Sequence, residues 1–562
     1  MVSLWNIERR KIFAALLATA LTQALAAASA AWCVRHIFDN LIRGHTAPGL
    51  DLRLLAGVFT GAVFLAFLLE IVQRRLGEGL GLKYTADVRL ELFDHHMKIP
   101  ARRPALDSHG AVLLPFVGDL SAIKQWVSDG LARVSVSVIT VTALLAAIGS
   151  QSLVLSLAIG MTMAAGIAVL LALGRPLDTT VRELRRRRGA LAGFVSGRLA
   201  SAAAIQMMGR SRSERKKVAA RTLALNQAGI RRAWVTGGMR GIAHLTGSLM
   251  ILVTLFVGMH EIQAGRFTPG TVVGTISLVG LLASAMRDLG RAIEMWYPAQ
   301  ISRERIETAL RQPVRRRTVG NSRSRNVHSG LVIDSISVTP DLTGVSVCAD
   351  PGDIVLVQGP VGAGKSTLFA CLAQLIQPTE GTILYRGQDL QSFSPGALRR
   401  LVGFASPALP LLKGSLGMNL RYRAPKTGVE KIVRHLADCG IDRLVARLPH
   451  GLDTKVRGDG ANLSLGERQA VLLARALLGS PDILLIDSVD SHLTPEVVER
   501  LTHILREYRG IVLMTASRPE ITGCATRIWH IEDGALIDKT VTSGATNIFP
   551  LEARHAEKGN ET

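Results

Sequence analysis

Two stretches hold residues whose types and spacing could do chemistry. The first is Asp353–Leu368, DIVLVQGPVGAGKSTL. Ile354–Val357 is a short β-branched and aliphatic run, the pattern of a buried strand. Gly359 to Ser366 fits the phosphate-binding spacing G-x-x-x-x-G-K-[ST], and Thr367 to Leu375 reads as an apolar helix. Around Gly359, Gly362, Ala363 and Gly364, backbone N–H groups can converge on a phosphate at a helix N-terminus. Lys365 is placed to reach β- and γ-phosphates, Ser366 to hold Mg²⁺, and Thr367 belongs to the same set of binding residues. The second stretch is Ile483–Asp487, an apolar run that ends in a carboxylate. A carboxylate there can bind Mg²⁺ directly or through water. Together the two stretches predict a site for ATP with Mg²⁺.

The rest of the chain must position these residues. At 562 residues it is longer than one domain. It carries a net charge of +22, a pI near 10.6 and a mean hydropathy of +0.28. A basic balance can signal nucleic acid, but here apolar segments explain it differently. Six runs suit membrane spans: Ile12–Val34, Leu54–Val72, Val134–Ile148, Leu153–Leu173, Gly241–Val257 and Val272–Met286. Ile12–Val34 follows a basic start yet is too long for a typical signal peptide, so it is expected to remain as the first helix. The long connections Gln73–Arg133 and Gly174–Arg240 carry Arg74, Arg75, Arg102, Arg103 and the block Arg185–Arg188. The positive-inside rule puts them, and the phosphate loop, in the cytosol. No nucleic-acid partner is expected; membrane lipid is.

Both connections show apolar residues at helical spacing, as in Val88, Leu92 and His95, or Leu191, Phe194 and Leu199. The spanning helices are therefore expected to continue into the cytoplasm. Arg185–Arg188 reads as a solvated helix face. Ser135, Ser137, Thr140 and Thr142 suit small-residue helix packing, with a polar pathway as the alternative. The five cysteines, Cys33, Cys348, Cys371, Cys439 and Cys524, lack metal or disulfide spacing and are expected to be reduced. The fold class is multi-domain: an all-α six-helix transmembrane domain over 1–310, a basic linker over 311–330, an α/β P-loop nucleotide-binding domain over 331–545 and a tail over 546–562.

Between the two chemical stretches runs Asn462–Gln469, NLSLGERQ, followed by the helical run Ala470–Leu478. With the phosphate loop before it and Asp487 after it, this order resembles the ATP-binding-cassette exporter family, in which a six-helix membrane domain is fused to one nucleotide-binding domain. Leu448–Thr454 and Ala474–Leu478 follow the same pattern. Leu90–Pro100 with Phe116–Leu131, and Ala202–Arg215, look like the family's two cytoplasmic loops. The resemblance implies two cassettes facing head to tail, each ATP lying between one phosphate loop and the opposite signature, L-S-G-G-Q. Ser464 and Gly466 match signature residues that contact the opposite γ-phosphate. Leu465 stands where the family has Gly, and Glu467 where it has Gln.

The hydrolytic positions depart further. The resemblance implies a Glu after the aspartate and a His in the switch loop; Ser488 and Ser517 stand there, so no catalytic residue is assigned. Pro407 replaces the Gln between subdomains, Pro340 the aromatic that stacks on adenine, and Thr494 the D-loop Asp. Loss of a general base costs ~10²–10⁴ in rate. The expectation is a cassette that binds Mg·ATP and splits it poorly, in a subunit that pairs with a competent half-transporter. A slow homodimer and a non-hydrolytic, ATP-sensing membrane scaffold or gate are the alternatives. Asp490 or His492 could replace the missing base. The transported substrate is not legible.

Overall fold

The computed structural model describes residues 5–43, 52–100, 115–314 and 329–540. Its described residues form two compact units, one ending at residue 314 and one beginning at residue 329. Most of the expected linker and all of the expected tail lie outside the described residues, as do Arg102 and Arg103.

The described residues of the first unit form helices joined by turns. In chain order it contains α1 (Ile7–Arg43), α2 (Leu52–His96), α3 (Leu120–Gln125), α4 (Ala132–Gly149), α5 (Leu153–Ala172), α6 (Gly174–Ala200), α7 (Ala202–Met207), α8 (Ser211–Gln263) and α9 (Pro269–Leu310). One-turn π-helical segments flank α3 at Pro115–Asp119 and Trp126–Leu131. Among the described residues six helices are long and apolar enough to cross a membrane, and each contains one of the six runs read from the sequence. Their ends differ from those runs. The third reaches back to Leu120 and the sixth on to Leu310. Charged residues end an apolar run, but they do not end a helix once it leaves the lipid.

Local chemistry sets the turns. Between α4 and α5 lie only three residues, and the Ser152 hydroxyl caps α5 by accepting from Leu155 N–H at 3.3 Å. Thr268 caps α9 in the same way, with Pro269 at the first helical position. Inside the bundle, polar groups must be satisfied without water. Thr246, Thr254 and Thr275 donate to the carbonyls of Ile242, Met250 and Thr271, one turn back, each at 2.8 Å. Small residues bring helices close: an added Cβ at Gly247 would lie 2.8 Å from the Ala283 methyl. Of the six spans, α9 is the most enclosed.

Two sequence expectations change here. Arg185 does not belong to a solvated face. It turns inward, donating to Asp119 Oδ1 at 3.0 Å and Ser302 Oγ at 2.6 Å. Arg186 and Arg187 stay outside and pair with Glu183. Leu199, expected on an apolar stripe, is exposed. Val88 and Leu92 are fully buried as the spacing required.

The second unit is α/β. Its strands are β1 (Leu331–Val338), β2 (Leu342–Ala349), β3 (Ile354–Gln358), β4 (Glu380–Tyr385), β5 (Gln388–Asp389), β6 (Val402–Ala405), β7 (Gly414–Ser415), β8 (Lys455–Val456), β9 (Ile483–Asp487), β10 (Ile511–Thr515), β11 (Arg527–Glu532) and β12 (Ala535–Thr540). The main sheet has the order β12-β11-β3-β10-β9-β6 and is parallel except for the β11–β12 pair. A separate antiparallel sheet runs β2-β1-β4-β5. Every residue of β9 and β10 is buried, as a parallel strand covered on both faces demands. Leu484, Ile486, Val512 and Met514 enter one core; Ile483, Leu485, Ile511 and Leu513 enter the other. The helices that concern the site are α10 (Lys365–Leu372), α11 (Leu465–Leu477) and α12 (Pro495–Arg506). All five cysteines are free.

Candidate nucleotide site

The loop from β3 into α10 requires glycine at two points. Gly359 has φ +147°, and a Cβ there would stand 2.2 Å from the carbonyl oxygen of Ile531. Gly364 has φ +99° and would place a Cβ 2.7 Å from the Asp341 carbonyl oxygen. No other residue fits both the conformation and the contact. Lys365 opens α10 and folds back over the loop, donating to the carbonyls of Gly359 at 2.7 Å and Pro360 at 2.8 Å. Desolvation holds its pKa below the usual lysine range, while Asp487 pulls it back up. A phosphate would displace those carbonyls as the better partner for an ammonium. Ser366 is exposed. Thr367 is buried and gives its hydroxyl to Asp341 at 2.6 Å, which leaves its backbone as the part able to face a ligand.

Asp487 ends β9 beside β10. Its Oδ1 accepts from Thr515 Oγ1 at 3.0 Å and its Oδ2 from Ser406 Oγ at 3.4 Å. These neighbours are hydroxyls rather than side-chain cations. An exposed serine hydroxyl and a carboxylate are hard oxygen donors, the set that suits Mg²⁺ with substrate phosphates and water. Among the described residues no cluster of three or more His, Cys, Asp or Glu forms a dedicated metal site.

Ser488 follows at φ +51°, a left-handed conformation for a residue with a side chain. Thr515 holds it there: Ser488 N–H donates to Thr515 O at 3.1 Å and to Thr515 Oγ1 at 2.9 Å. The Ser488 hydroxyl shares a 3.0 Å bond with the same Oγ1. Of the two candidate replacement bases, Asp490 is not placed to take a proton from water. Asp490 is 1% exposed, and its Oδ2 accepts from the backbone N–H of Ser517 at 2.6 Å and of Arg518 at 2.8 Å. His492 is exposed, with Nδ1 bonded to Ser491 Oγ at 2.8 Å. Sequence reasoning missed this clamp. Its one signal was a carboxylate three residues after Asp487. Pro407 and Pro340 are both exposed.

Ser464 caps α11. Its hydroxyl accepts from Glu467 N–H at 3.3 Å, and Glu467 Oε2 accepts from Ser464 N–H at 2.7 Å, a reciprocal capping box. Glu467 therefore serves the helix start, and Leu465 is 43% exposed at its tip. Gly466 sits against the loop after β9: a Cβ would lie 2.3 Å from the His492 carbonyl oxygen. Gln469, also missed from the sequence, ties the same loop down by accepting from His492 N–H at 3.0 Å. Gly466→Ala is expected to cost about 1–3 kcal/mol of cassette stability by forcing backbone apart. Leu465→Ala, at an exposed position, should change it by less than about 0.5 kcal/mol. Thermal unfolding of the two variants separates them; equal midpoints would contradict the contact.

Comparison with known proteins agrees with this architecture. A family model described as ABC transporter transmembrane region matches residues 12–286, and one described as ABC transporter matches residues 342–490. The chain is 25% identical over 92% of its length to a fatty acid ABC transporter ATP-binding/permease protein of Mycobacterium bovis, covering 84% of that protein. It is 25% identical over 86% of its length to an ATP-dependent lipid A-core flippase of Cupriavidus metallidurans, covering 83% of it. The structure of a bacterial Atm1-family ABC exporter with ATP bound superposes with a TM-score of 0.84 at 20% identity, over 94% of this chain and 95% of that one, which shows a shared fold.

Proposed function

The chain belongs to the ATP-binding-cassette exporter family, and from that premise we propose that it is the Mg·ATP-binding, weakly hydrolytic half of an exporter whose other half splits ATP. Residues 1–310 form its membrane domain and 331–545 its cassette. Gly359, Gly362, Ala363, Gly364, Lys365, Ser366 and Thr367 cradle the phosphates, and Ser366 with Asp487 holds Mg²⁺. Ser464 and Gly466 complete the site of the opposite subunit, where α11 presents its N-terminus. Exporters of this type act as dimers. ATP draws two cassettes together and the membrane helices respond.

The observation that carries the reading is the use made of Asp490. It is the carboxylate nearest in sequence to Asp487, and its Oδ2 accepts from two backbone N–H groups of the switch loop. Ser488 and Ser517 offer hydroxyls with no basicity at neutral pH. A competent partner supplies the base that this chain lacks. The relatives named for fatty acid, multidrug and lipid A-core transport support an amphipathic substrate.

The test is isolation of the tagged chain from its native membranes, with phosphate release measured on what is recovered. A 1:1 complex with a second half-transporter, turning over ATP only with that partner's own base intact, is expected. Recovery of this chain alone, as a homodimer that turns over ATP, would overturn the pairing.

A further inference from the structure

The membrane unit holds a partly open cavity of about 160 Å³, with polar and apolar lining, among α1, α2, α4, α9 and the π-helical turn before α4. It lies at the cytosolic end of the spans. Glu70 falls inside the apolar run of α2, while Gln73 and Arg74 lie just beyond it. The volume is below the ~300–1,000 Å³ of pockets that swallow a whole small molecule. It suits a headgroup, with apolar chains left among the helices.

The charges of the lining are unequal. Three carboxylates (Glu70, Asp129, Asp288) face two guanidinium groups (Arg74, Arg133). Arg133 is already neutralised from two elements, by Asp129 at 3.6 Å and Asp288 at 3.3 Å. Gln73 donates to Gln23 at 2.8 Å across α1 and α2. Glu70 has no ion-pair partner among the described residues and is exposed, just inside the cytosolic end of the apolar run. An ionisable side chain within a membrane span points to a binding role. Arg74, one turn nearer the cytosol, has a stem long enough to carry its charge to water. The deepest uncompensated charge is therefore negative. Ser128, 6% exposed, lines the same cavity with a hydroxyl that has no partner. Ser137 and Thr140 supply two more hydroxyls, whereas Ser135 and Thr142 bond back to their own helix.

We propose that this cavity receives the cationic headgroup of an amphiphile from the cytosolic side, with Glu70 as its counter-ion. The proposal rests on the exporter reading but is tested without ATP turnover. The probes are radiolabelled decyltrimethylammonium and decyl sulfonate, of equal chain length and opposite charge, below their micellar concentrations. Binding is measured to the full chain in nanodiscs of neutral lipid, with empty discs subtracted. Saturable binding of the ammonium alone is expected. Glu70→Gln should weaken it at least tenfold, Glu70→Asp should restore most of it, and Arg74→Gln should tighten it by removing a like charge from the rim. Sulfonate binding as tightly as ammonium, Glu70→Gln leaving ammonium affinity unchanged, or Arg74→Gln weakening it would each overturn the assignment. A chain that binds the cation and moves nothing would fail the exporter reading alone.

Discussion

Placing Glu at 488 and His at 517 together raises ATP turnover of the purified chain by ~10²-fold or more, the return expected from a positioned base. The local backbone accepts both. Ser488 already holds φ +51° with a Cβ present, so a longer side chain adds no new strain there. The position is exposed, and its N–H bonds to Thr515 stay in place because they are backbone-donated. Position 517 is exposed as well, and Asp490 fixes its backbone, so an imidazole there starts from a held loop. Ser488→Glu alone should recover less, since base and switch residue act as a unit. Phosphate release in lipid, with Lys365→Ala in the same background, measures the effect. A double variant that stays at the level of its Lys365→Ala control would show that the missing base does not limit turnover.

Asp490→Ala is the most destabilising single change expected in the cassette outside its apolar cores. It strips the acceptor from two backbone N–H groups, those of Ser517 and Arg518. Each unsatisfied group costs about 1–3 kcal/mol. Removing a buried carboxylate whose other oxygen has no partner returns part of that. The net expectation is a loss of roughly 2–4 kcal/mol, read as a lower denaturation midpoint, with faster amide exchange over residues 516–518. Asp490→Asn keeps an acceptor oxygen and should lose less than half as much. Unchanged exchange in the alanine variant would show that the switch loop does not depend on this clamp.

The sequence revealed the elements that local patterns determine. Ile483–Asp487 and Ile511–Thr515 are continuous apolar runs because both faces of each strand are covered, and the structure buries every residue in them. Six apolar runs gave six spanning helices. Gly359 and Gly364 are demanded by positive φ and by backbone within 3 Å, a constraint that spacing alone can signal. Features that depend on distant partners were not legible. Arg185 lies in a run of four arginines, and nothing local says that it alone meets Asp119 and Ser302. Asp490 could be suspected as a base from its place after Asp487. Only the fold shows its carboxylate spent on the switch loop. The cavity joins Gln23, Glu70, Arg133 and Asp288 from separate helices, a grouping that no stretch of sequence contains.

The most direct test of the central claim is one preparation measured two ways. The purified chain in lipid is assayed for Mg·ATP binding and for ATP turnover, with Lys365→Ala beside it. Saturable binding that the substitution abolishes, together with turnover no higher than that of the substituted chain, is the predicted result. Turnover at the rate of an active exporter, lost in Lys365→Ala, would contradict it and would mean that a base outside Ser488, Ser517 and Asp490 serves this site.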